Sequence, residues 1–283
     1  MSRWHIGDVT ITRIVELEAT GGSRFILPDA TPETVLPHRW LAPHFIDERG
    51  RLRMSVHALV VDTPARRILV DTCIGNDKER SIPAWSKLHG PFLDDLAAAG
   101  CPRDSIDTVL CTHLHVDHVG WNTMLVNDRW VPTFPKARYL VERTELAYWQ
   151  SRREHDDHRR SFADSVEPVV DAGLVDRVGP DHRLCDEVSL VPTPGHTPGH
   201  VSVRVVSRGE DALITGDFIH HPCQMARLDL RSSADHDPAR AAQTRRDVFE
   251  SLAGTQTLLF GTHFATPSAG RVVRDGDAFA LVV

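Results

Sequence analysis

"CTHLHVDHVGWN", residues 111–122, places His113, His115, Asp117 and His118 on six consecutive positions. The stretch follows "IDTVLCT" (106–112), an apolar, β-branched run that reads as a buried strand. If the strand continued, His113, His115 and Asp117 would share one face, with His118 opposed. At a strand-to-helix corner all four can converge on a small volume. Imidazoles together with a carboxylate suit Zn²⁺ or another first-row ion. Four donors packed this tightly do not easily serve one ion, so the motif predicts a second ion and more donors downstream.

Those donors are present. "TPGHTPGH" (193–200) puts His196 in a Pro/Gly turn after a strand, "ITGDFIHH" (214–221) puts Asp217 just past another, and "LLFGTHF" (258–264) puts His263 at the end of a third. Each candidate sits at a strand terminus, where loops gather along one edge of a sheet. Any one of them alone reads more readily as structural; together they read as a site.

The rest of the chain bounds what surrounds that site. With 283 residues, 41% of them hydrophobic, one large core is expected, and no linker divides 1–283 into separate domains. A net charge of −7 argues against a phosphate-binding surface and hence against nucleic acid. No apolar run reaches the roughly 18 residues of a membrane span, and the N-terminus lacks the apolar core of a signal peptide. A cytoplasmic protein with no membrane association is the expectation. The five cysteines show no C-x-x-C pairing and read as reduced, buried thiols.

Strands are expected over 8–17, 55–63, 66–74, 106–112, 188–193, 200–207, 211–217, 257–263 and 278–283. The second and third of these form a hairpin. Helices are expected over 91–100, from about Arg143 to Ser165, and from Asp237–Pro238 to about Ala253, the last with an Asp cap and Pro at its first position. The segment 21–53 lacks periodicity and reads as an irregular arm or lid. The class is mixed α/β with more than one sheet.

In order and rough spacing, His113-x-His115-x-Asp117-His118, then His196, Asp217 and His263, resembles the metallo-β-lactamase-fold hydrolase superfamily. The resemblance runs from about residue 55 to 265. It implies an αβ/βα four-layer sandwich, two mixed β-sheets face to face with helices outside, and a binuclear site along one edge. It assigns His113, His115 and His196 to the first metal, and Asp117, His118 and His263 to the second, with Asp217 bridging. The cofactor it implies is a pair of divalent ions, Zn²⁺ favoured, although the same donors would hold Mn²⁺, Co²⁺ or Fe²⁺. Two ions about 3.5–4 Å apart can share a hydroxide formed from a water whose pKa falls to roughly 7. Asp117 could orient that hydroxide and carry a proton to the leaving group.

Within the superfamily the details narrow the choice. Flavodiiron relatives carry a glutamate where this chain has His115, true β-lactamases usually lack either His118 or the bridging Asp217, and RNA-processing members need a basic arm. Small-molecule hydrolases remain, and the pattern is similar to the branch of methyl-parathion-hydrolase-like enzymes and lactonases. The expected reaction is hydrolysis of a small neutral lactone or carboxylic ester, with a phosphotriester as the alternative and redox chemistry on the same fold as a more distant one. Quorum-quenching lactonases place a tyrosine three residues after the bridging aspartate. Here that position is His220, which could donate a hydrogen bond to the substrate carbonyl or leaving group; the competing reading is a His221–Pro222 turn in which both imidazoles serve only packing or surface roles.

Asp71 and His200 read equally well as supports for the ligand histidines or as residues that cap or pack a turn, and Thr112 and Thr262 read as supports or simply as small residues that fit. Trp121, and behind it Trp40, Phe45, Trp85 and Trp149, are candidates for shaping the pocket. "HDDH" (155–158) reads as a solvated helix face. The partner expected is a small molecule, and a homodimer using 21–53 as an arm fits the reading.

Overall fold

The alternation of apolar residues along the strands dictates two sheets, each buried on both faces. The computed structural model describes residues 2–152 and 156–283. The first sheet has seven strands, in the order Ser2–Ile6, Val9–Thr20, Arg53–Asp62, Arg67–Val70, Thr108–Cys111, Arg138–Glu142 and Val175–Val178. The first four pair antiparallel and the remaining pairings are parallel. The second has six, in the order Val188–Pro192, Val201–Ser207, Glu210–Ile214, Leu258–Phe260, Ala269–Asp275 and Ala278–Val282.

Period-two patterning decides which side chains go where. Leu59, Val61, Ile68, Val70 and Leu110 of the first sheet meet Val203, Val205, Ala212, Ile214 and Phe260 of the second in an inter-sheet core. Their neighbours Val60, Leu69, Val109 and Tyr139 face outward, against Phe92 and Leu96 of the helix Phe92–Ala98 and Leu146 of the helix Arg143–Ser151. On the other side Leu213, Leu259, Val272 and Leu281 pack under Phe249 of the helix Pro238–Leu252. The result is the expected αβ/βα sandwich of four layers. Each fully buried aliphatic side chain contributes roughly 1.5–3 kcal/mol. These three clusters therefore carry the stability and leave the loops free to display polar groups.

Several local expectations needed the tertiary structure. The helix expected from Arg143 to Ser165 is interrupted: it ends at Ser151, and the chain resumes as Asp156–Ser161, a wide turn Phe162–Val166 and Glu167–Asp171. The hairpin Thr123–Val126 with Arg129–Pro132 and the strands Arg138–Glu142, Val175–Val178 and Ala269–Asp275 were not expected, being short or interrupted by charge. The segment 21–53 contains the short helix Pro32–Val35, and its Leu27, Val35, Leu41, Phe45 and Leu52 join the core over the second sheet. Among the described residues no helix is long and apolar enough to cross a membrane.

Candidate metal centre

Topology brings the donors together. Val188–Pro192, Glu210–Ile214 and Leu258–Phe260 run in the same direction, so the turns after them, carrying His196, Asp217 and His263, lie at one edge. The turn after Thr108–Cys111 meets them across the sandwich, where the Val201 N–H donates to the Thr112 carbonyl at 3.0 Å. Two glycines allow the approach. Gly216 has φ +58°, and a Cβ there would stand 2.5 Å from His200 Nε2; a Cβ on Gly199 would stand 2.2 Å from the Glu145 nitrogen.

The donor atoms converge tightly. His115 Nδ1 lies 3.0 Å from His113 Nε2 and 2.8 Å from His196 Nε2. On the other side His118 Nε2 and His263 Nε2 are 3.2 Å apart. Asp117 reaches them at 3.8 Å through Oδ1 (His118) and 3.5 Å through Oδ2 (His263). Asp217 Oδ2 stands between the two groups, 3.1 Å from His263 Nε2, 3.3 Å from His118 Nε2, 3.7 Å from His196 Nε2 and 3.9 Å from His113 Nε2. His113, His115 and His196 thus form one group that could hold an ion, and Asp117, His118 and His263 another.

The outer partners fix which nitrogen carries the proton. His118 Nδ1 donates to Asp71 Oδ2 at 2.8 Å, His196 Nδ1 to Asp235 Oδ1 at 3.0 Å, and His263 Nδ1 to the Ser55 carbonyl at 2.9 Å. The Thr112 hydroxyl, itself donating to Asp71, accepts from His113 Nδ1 at 3.1 Å. Four Nε2 lone pairs therefore point inward. Facing lone pairs about 3 Å apart repel unless a cation sits among them, so this donor set fits divalent metal.

The electrostatics of the two groups differ. Burial pushes His113, His115 and His196 well below the ordinary histidine range, and neighbouring imidazoles push the same way. Burial opposes protonation of His118 and His263 too, but Asp217 and its neighbouring carboxylates outweigh it and raise both. Asp217 lies well below the carboxylate range because His118, His263 and His220 overcome its burial. Burial pushes His200 down to about 3, keeping it a neutral acceptor for the Asp217 N–H at 2.7 Å. His200 thus supports Asp217, and Thr262 also reaches Asp217 Oδ1, at 3.1 Å.

A cavity of about 580 Å³ opens over the cluster, lined by His115, Asp117, His196, Asp217, His220 and His263 at the polar end. Leu17, Phe25, Ile26, Met54, Ile82 and Trp85 are among its apolar walls. Of the aromatic candidates only Trp85 lines it. Trp121 instead donates Nε1 to Glu16 at 2.7 Å and stacks on Phe92, and Phe45 is core. Trp40 packs against the same core, and Trp149 lies edge-on to His115 and bonds Glu145.

His158 also departs from expectation: it stacks on His115 at 5.9 Å and lines the cavity instead of lying on a solvated face. His155 lies outside the described residues. His220 is buried, with Nε2 3.3 Å from Asp217 Oδ2 and Nδ1 without a partner. Sequence reasoning missed Asp235, Glu145, Glu16 and Phe25. None stands in a motif, and only the folded loops bring them to the site.

Fold and donor cluster together define a class, the metal-dependent hydrolases built on two sheets with their donors along one edge. The family model described as "Metallo-beta-lactamase superfamily" matches residues 51–263, and the chain belongs to that superfamily. N-acyl homoserine lactonase AiiA of Bacillus thuringiensis subsp. kurstaki is 22% identical over 228 residues, covering 75% of this chain and 82% of its own length. Hydroxyacylglutathione hydrolase of Aeromonas salmonicida is 29% identical over 130 residues, covering 46% and 39%. Among solved structures, the dizinc quorum-quenching lactonase AidC superposes with a TM-score of 0.81 at 19% identity, covering 99% of this chain and 96% of its own. A probable metal-dependent hydrolase from Staphylococcus aureus gives 0.77 at 19% identity, with 99% of each chain covered.

Proposed function

We propose that this protein hydrolyses a small, uncharged lactone or carboxylic ester at a binuclear centre, with zinc as the favoured metal. His113, His115 and His196 would hold one ion, Asp117, His118 and His263 the other, and Asp217 both. The observation that carries the reading is the set of inward-facing lone pairs around one shared carboxylate oxygen, at the end of an otherwise apolar cavity. When bound, two divalent ions supply Lewis acidity and a water nucleophile near neutral pH.

The chain's own residues do the rest. Among the described residues no lysine or arginine lines the cavity, so an anionic substrate would find no side-chain counter-charge there, whereas a neutral one loses only water. Asp117, on the cavity wall, would accept the proton of the attacking water on a carboxylate oxygen and return it to the leaving oxygen. His220 lacks the outer Nδ1 partner that His113, His118, His196 and His263 each have, which favours the tautomer with its proton on Nε2. That N–H, at the cavity's polar end, is a donor for the substrate's carbonyl oxygen.

Metal content per chain, measured with turnover of lactone, aryl ester and phosphotriester substrates, tests the reading. Two zinc ions with lactone or ester turnover are expected, and His220→Ala should lower kcat by roughly 10²–10³ with metal content unchanged. Turnover of the phosphotriester alone would move the assignment to that bond. One iron and no hydrolysis would sink the hydrolase reading.

A further inference from the structure

The first candidate ion draws its three histidines from two loops that are not otherwise joined by strand pairing: 112–119, after one sheet, and 193–200, in the other. A single buried side chain spans them. Glu145 is fully buried on the helix Arg143–Ser151. Its Oε1 accepts from the Leu114 N–H at 3.0 Å and from Trp149 Nε1 at 2.6 Å. Its Oε2 accepts from the Thr197 hydroxyl at 2.6 Å and from the Gly199 N–H at 3.2 Å. Leu114 lies between His113 and His115, and Thr197 follows His196.

One carboxylate therefore takes four donors, three of them from the loops that carry His113, His115 and His196. The helix end is held in turn, because the Glu142 side chain accepts the Glu145 N–H at 2.8 Å. Trp149, fixed by the same carboxylate, lies edge-on to His115 at 5.2 Å. The second group is tied elsewhere: His118 to Asp71 and Thr72, His263 to Ser55.

We infer that Glu145 is a positioning residue that clasps the two histidine loops and sets the spacing of the first ion's ligands, without touching ion or substrate. The inference rests on the binuclear reading above. A glutamine at this position keeps the shape but turns one acceptor oxygen into an NH₂ that faces existing donors, so one loop must be released.

The test is metal titration of the chelator-stripped full chain with Co²⁺, followed by absorbance, beside melting curves with and without metal. In Glu145→Gln one Co²⁺ should bind as in the wild type. The other should weaken by roughly 10–100-fold, the usual consequence of losing an outer partner of a ligand, and the metal-induced rise in Tm should shrink. Thr197→Val removes one donor and leaves the carboxylate in place; it should weaken the same ion by a smaller factor. If Glu145→Gln does not fold, Thr197→Val decides alone.

Two Co²⁺ bound with wild-type affinity in these variants, with the metal-free Tm lowered and the metal-induced rise unchanged, would make Glu145 a fold residue only and overturn the inference. A wild-type chain that binds no second ion would instead overturn the binuclear reading on which it rests.

Discussion

The two halves of the donor cluster solve the same problem by opposite means. His113, His115 and His196 are three imidazoles whose burial keeps them neutral. Asp117, His118 and His263 sit in a field of carboxylates, where Asp217 and its neighbours overcome burial and raise both histidines. The first half depends on loop geometry, since neutral donors attract a cation only where their lone pairs meet. The second depends on charge, which tolerates looser geometry: its Asp117 oxygens stand 3.5–3.8 Å from the imidazoles they serve. Asp217 belongs to both.

The largest break in this comparison is at the shared residue. Asp217→Asn removes the one anion that, among the described residues, is common to both halves, and should abolish tight binding of both ions. Hydrolysis should fall by more than the roughly 100-fold typical of losing an outer partner. Elemental analysis after gel filtration, beside kcat/KM, checks it; retention of two ions would separate the halves from Asp217.

A matched pair of substitutions should split the halves. Asp235→Asn weakens the partner of His196, and Asp71→Asn the partner of His118. Each is expected to lower metal affinity roughly 10–100-fold, but for different ions, so each variant keeps one tight site in a Co²⁺ titration. Weakening of the same ion by both would merge the two halves into one cooperative unit.

The smallest effect comes from Lys78, a cation away from the cluster where burial wins. Its Nζ donates to Thr123 at 2.8 Å and has Asp164 at 3.5 Å, while Arg80 nearby adds like charge. Burial lowers it to about 7. Between that value and roughly 10.4, the unfolded value, the unfolded chain binds the proton that the folded chain has released. Unfolding free energy therefore rises with pH across this window, by at most about 1.4 kcal/mol per unit. Chemical denaturation of metal-free protein at pH 7 and 8, with Lys78→Met subtracted as reference, should show that slope. Equal slopes in both proteins would mean that Lys78 stays charged despite its burial.

The legibility of the molecule follows the same division. The seven candidate donors were readable because each stands at the end of an apolar run, within a short polar signature such as "HLHVDH" or "TGD". The sandwich was readable because period-two burial fixes which faces of a strand must be covered. Trp121 was misread as a pocket wall because adjacency in sequence to the metal loop says nothing about direction. Its indole turns away to Glu16 and Phe92.

By itself, the sequence determined the donor types, their order and the strands that deliver them, since these depend on local chemistry and short-range periodicity. Only the tertiary structure decided which residues stand behind the donors. Asp235 behind His196, Ser55 behind His263 and Glu145 between two loops are separated from their partners by 39, 208 and up to 54 positions. A buried hydrogen bond across such distances leaves no pattern in the chain, because it is set by where the sheets place their edges and not by which residues are neighbours.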